Sequence, residues 1–83
     1  MDINNLVHMA NQIGDFFSAY PDREEAMSGI ATHIRKFWEP RMRVLILEGV
    51  ANNSVPELSP LVTAALQKHA PSLQPQMTTG MNS

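Results

Sequence analysis

Cysteine is absent from the 83 residues. That excludes a disulfide scaffold, a thiolate metal site and a cysteine nucleophile, and it fits a reducing compartment. Aromatic residues are few: three Phe, one Tyr and one Trp. Long apolar runs are missing too. The longest, Val44–Leu47, falls far below the roughly 20 residues that a membrane-spanning helix needs. Asp2 follows Met1 with neither a basic segment nor an apolar one behind it, so no secretory signal is expected. Basic residues are in deficit, with 6 Lys+Arg against 8 Asp+Glu and a net charge of −2. A nucleic-acid module usually carries the opposite balance. The length allows one domain.

Groups able to converge on a reaction are equally scarce. His8, His33 and His69 fall in three separate predicted helices, without the H-E-x-x-H spacing of a zinc helix. No G-x-S-x-G, P-loop or dinucleotide-binding glycine pattern occurs. Glu24 and Glu25 are adjacent, so on a helix they point about 100° apart. They read as first-turn residues that favour the helix dipole rather than as an acid/base pair. Of the six methionines, Met9, Met27 and Met42 remain as gap-fillers of a small core once Met1, Met77 and Met81 are set aside.

What is present is helical patterning. Ile3, Leu6, Val7, Ala10, Ile13 and Phe17 recur at three- and four-residue spacing and predict a helix from Ile3 to Ala19, stopped by Pro21. Gly14 permits a close crossing with another helix. Asp22 is a suitable N-cap for a second helix. Glu25 completes an approximate capping box, and Arg35 and Lys36 suit the negative end. Its apolar stripe is Ala26, Ile30, Ile34 and Phe37. Pro40 fits the first position of a third helix running through Ala51. Val44–Leu47 also reads as a short buried strand, a reading rejected because the chain offers no partner strand. Ser59 and Pro60 open a short fourth helix. Beyond it Pro71, Pro75 and a polar run predict a mobile end. The fold expected is an all-α bundle of three main helices plus a short fourth. Residues 1–69 form one helical domain and residues 70–83 a disordered tail. Helices one and two should form an antiparallel hairpin, with helix three across them.

Charge divides along the chain. Asp2, Asp15, Asp22, Glu24 and Glu25 load the first part, opposed only by Arg23. From Arg35 to Arg43 the sign reverses, with Glu39 the sole acid. This second stretch also holds the only tryptophan and a proline. His33, Arg35, Lys36, Phe37, Trp38, Glu39, Pro40, Arg41, Met42 and Arg43 are therefore the candidate partner-binding residues, with Phe16 as an outlying ring. The bland reading of the cations is a helix-end complement and a solvated surface. Phe16-Phe17 and Phe37-Trp38 are adjacent pairs that cannot share one direction. Either the core stripe is wide, or one ring of each pair faces a partner. A helix-turn-helix reading, with Arg41 and Arg43 opening a recognition helix, is the alternative.

Three stretches carry a family resemblance: Leu6-Val7-His8-Met9-Ala10-Asn11-Gln12-Ile13-Gly14-Asp15-Phe16-Phe17, Pro21-Asp22-Arg23-Glu24-Glu25-Ala26, and His33-Ile34-Arg35-Lys36-Phe37-Trp38-Glu39-Pro40-Arg41-Met42-Arg43. Leu58-Ser59-Pro60-Leu61-Val62 matches more weakly. Together they resemble the delta subunit of the soluble, NAD-dependent formate dehydrogenases that contain molybdenum or tungsten. The resemblance implies a cytoplasmic, non-catalytic accessory subunit with no cofactor of its own. Its implied partner is the catalytic alpha subunit and, through the complex, the beta and gamma subunits, with neither nucleic acid nor membrane involved. Bis-molybdopterin guanine dinucleotide, iron–sulfur clusters and FMN would belong to those partners. The implied role is assembly, cofactor maturation or stabilisation of the enzyme.

Overall fold

A computed structural model describes residues 2–75. Among them are four helices and no strand: α1 (Ile3–Phe17), α2 (Arg23–Phe37), α3 (Pro40–Ala51) and α4 (Pro60–Leu73). The all-α expectation holds, and the rejected strand over 44–47 is helical. The N-cap residues read from the sequence act as anticipated, but the Glu25 half of the expected capping box does not form. The Asp22 side chain accepts from the Glu24 backbone N–H, and Ser59 Oγ accepts from the Val62 N–H. Asp2 does the same for α1 through the Asn4 N–H. Pro40 and Pro60 both sit in the opening turn of their helices.

Helix ends differ from expectation for local reasons. α1 stops at Phe17, short of Ala19, where the Ser18 hydroxyl donates to the Asp15 carbonyl at 2.7 Å. A serine bonding back to its own turn competes with helix continuation. α4 runs on to Leu73 and is longer than α3 (14 residues against 12). Residues 70–73 of the expected tail are therefore its last turn. Leu73 is fully buried, and burial of a leucine, worth about 1.5–3 kcal/mol, offsets the cost of Pro71 inside the turn. Of the rest, Gln74 is the C-cap of α4 and Pro75 follows it, while residues 76–83 lie outside the described residues.

The most extensive contact is between α2 and α4. α1 lies against α2, and α3 packs on α4 and α1 rather than across the α1–α2 pair. The core combines Leu6, Val7 and Ala10 of α1 with Met27, Ile30 and Ile34 of α2, Ile46 and Leu47 of α3, and Val62 and Leu66 of α4. Gly14 is where α1 meets α4. A Cβ there would lie 2.4 Å from Val62 Cγ2, a distance that no real side chain tolerates.

One polar device locks this arrangement. Asn11, on α1, donates from Nδ2 to the Glu57 carbonyl at 3.0 Å and accepts at Oδ1 from the Ser59 N–H at 2.8 Å. Both groups of one amide thus hold the chain just before α4. Asn53, at φ 56°, provides the left-handed turn between α3 and α4, a conformation that asparagine adopts more readily than most residues.

Candidate functional surface

The elbow between α2 and α3 contains most of the candidate residues, and the fold splits them into two sets. Pro40 forces Glu39 into extended backbone, and Trp38 is extended as well. That geometry swings the Trp38 ring into the core, where it is 5% exposed. Its backbone N–H caps α2 through the Ile34 carbonyl at 2.9 Å. Trp38 is thus a core residue of this chain, not a ring offered to a partner. Met42 is half-buried against the same core. Arg43 is half-buried too, and its Nη1 donates to the Arg35 carbonyl at 3.2 Å in the last turn of α2. It closes the elbow as a C-terminal cap, a favourable position for a cation.

The second set faces outward. Phe37 is 71% exposed and Phe16 67% exposed. Each aromatic doublet therefore sends one ring outward, the second of the two arrangements that the sequence allowed. His33 is half-buried and lies against Phe37, ring centroids 4.8 Å apart. Arg35, Lys36, Glu39, Pro40 and Arg41 are exposed. The cations available to a partner are Arg35, Lys36 and Arg41, and Arg43 is committed to the fold.

An open groove of about 470 Å³ joins Phe37 to the end of α1. Phe17 and Tyr20 form one wall. His33, Lys36 and Phe37 form the other end, and Ser28, Gly29 and Thr32 lie between them. Gly29 is required here: a Cβ would lie 2.3 Å from the Phe17 ring. Phe17 in turn meets Phe16 edge-on at 5.0 Å and Tyr20 at 5.2 Å. Phe17 and Tyr20 thus stand at one end of the groove face and His33 and Phe37 at the other. Sequence reading singled out Phe16 and the elbow but missed Gly29, Thr32 and Tyr20 as parts of that face. The available signal was the spacing of Glu25, Gly29, Thr32 and Lys36, which puts them on one row of α2 away from the core row, with small residues at its centre.

The other charged groups have simpler roles. Lys68 of α4 pairs with Glu24 of α2 in a salt bridge between two exposed side chains, an arrangement worth at most about 1 kcal/mol. Among the described residues no group of three or more His, Asp or Glu is placed to hold a metal ion. No helix there is long and apolar enough to cross a membrane.

Comparison with known proteins agrees with the resemblance read from the motifs. The family model for the NADH-dependent formate dehydrogenase delta subunit, FdsD, matches residues 5–66. That span covers most of α1, all of α2 and α3, and the first half of α4. Neither the curated proteins nor the solved structures give a match.

Proposed function

Because the chain belongs to the NADH-dependent formate dehydrogenase delta-subunit family, we propose that it is a non-catalytic accessory subunit that docks on the catalytic alpha subunit. The beta and gamma subunits would then be met through the complex. The docking surface in this reading is the outer face of the elbow. Phe37 and Phe16 supply apolar anchors, and Arg35, Lys36 and Arg41 orient them against acidic groups. The observation that carries the reading is two phenylalanine rings left about two-thirds exposed, Phe37 on the segment that carries three free cations and Phe16 against the groove-lining Phe17. Rings of that size in solvent cost a small domain burial it has little surplus to forgo.

The chain brings no cofactor of its own in this reading. Bis-molybdopterin guanine dinucleotide, the iron–sulfur clusters and FMN belong to the partner subunits, and the complex works in the cytoplasm. The contribution of the delta subunit is to assembly, cofactor maturation or stability of the enzyme. The fold and the family match give no support to the helix-turn-helix alternative.

The test is capture of the alpha subunit after co-expression. Trp38→Ala is unsuitable for it, because that variant reports on folding. A Phe16→Ala/Phe37→Ala double variant and Arg41→Glu leave the core untouched. The loss expected from the double variant is about 2 kcal/mol or more, roughly 30-fold in affinity. Undiminished capture by both variants would remove this face from the proposal.

A further inference from the structure

The groove on α2 carries a pattern that the docking role does not require. Glu25 stands at one end and Lys36 at the other, and among the described residues neither forms an ion pair within the chain. Eleven residues of helix separate them, about 17 Å. Ser28 and Thr32 occupy the middle with small side chains, and the Phe17 ring of α1 covers Gly29 beside them. An exposed ring, Phe37, lies beside Lys36, and Tyr20 closes the wall at the opposite end.

This surface is complementary to itself. A two-fold axis through the middle of α2, on its Ser28–Thr32 side, lays the helix antiparallel on a second α2. Glu25 of each copy then faces Lys36 of the other. Phe37 of each copy faces the Tyr20 end of the other's groove. A surface that meets its own copy about a two-fold axis is the isologous pairing of cyclic dimers. A partner of different sequence would have to match both charges separately, whereas a second copy matches both at once. We infer that the chain, when not in the enzyme complex, forms a two-fold homodimer through the outer face of α2. The dimer covers Phe37, one of the two rings that the docking proposal assigns to the alpha subunit, so a copy engaged in it has its docking face partly closed.

Complementary charge variants test this with a mass measurement. Glu25→Lys gives a chain with two cations at the ends of α2, and Lys36→Glu gives one with two anions. Both positions are exposed, and helical circular dichroism checks that each variant folds. By analytical ultracentrifugation the wild-type chain should move from 9.2 kDa to twice that mass as concentration rises. Each single variant should remain at the monomer mass at concentrations at least tenfold higher. An equimolar mixture of the two variants should recover the doubled mass, and so should the double variant Glu25→Lys/Lys36→Glu. Wild-type protein that stays monomeric throughout overturns the inference and leaves the groove to a different protein. Variants that dimerise like wild type, or a mixture that fails to recover, overturn it as well. Capture of the alpha subunit is read separately. Loss of the dimer with intact capture removes this inference alone, and an intact dimer without capture removes the docking proposal alone.

Discussion

The inner and outer sides of the α2–α3 elbow use the same residue types to opposite ends. Trp38 and Arg43 turn inward, one filling the core and the other capping α2. Phe37 and Arg41, their neighbours in sequence, face solvent. Composition is the same on both sides, and backbone geometry decides which role each residue takes. The extended conformation that Pro40 imposes just after α2 rotates one aromatic of the doublet in and leaves the other out. An aromatic-cationic segment is thus half structural, and only the other half is available for recognition.

The contrast breaks most visibly at Trp38. Trp38→Ala should cost about 3–5 kcal/mol, the range for removing a large buried aromatic, read as a fall in the urea midpoint. Near-wild-type stability would mean that the ring is not in the core. Gly14→Ala probes the same core from the α1–α4 crossing. Its added methyl meets Val62, and about 1–3 kcal/mol should be lost by overpacking. Val62→Ala in the same chain should recover part of that loss, and a purely additive double variant would argue against the close approach. The arginines sharpen the comparison further. Arg43→Ala should lose about 1 kcal/mol with its hydrogen bond to the α2 carbonyl. Arg41→Ala should stay within about 0.5 kcal/mol of wild type. Equal values for the two would erase the distinction between inner and outer cations. The smallest effect on stability belongs to Phe37→Ala, again within about 0.5 kcal/mol. That variant should be the one whose thermal transition is unchanged while its capture of the alpha subunit weakens.

Helix starts were legible in the sequence because each rests on a local rule. Asp22, Pro40, Ser59 and Pro60 occupy the cap and first-turn positions that their chemistry favours. Ends were less legible. The stop at Phe17 depends on a serine hydroxyl choosing its own turn, and the extension to Leu73 depends on a distant core. The placing of α3 was not legible, since it packs on α4 and α1 and not across α1 and α2. Its apolar residues lie nearly all round the helix and so do not point to one neighbour. The surface was half legible. Phe16, Phe37 and the cations stood out by type, but the direction of Trp38 is set by two backbone angles after α2. The partnership of Gly29 with Phe17 spans two helices, and no local pattern announces it.

The amide of Asn11 has a practical consequence for following the protein in solution. The Ser59 N–H is bound to a side chain on another helix rather than to a carbonyl of its own. Its hydrogen exchange therefore reports the separation of α1 from the start of α4, not the fraying of either helix. One resolved nuclear magnetic resonance peak would act as a gauge of that seam, slow while the seam is shut and fast once it parts.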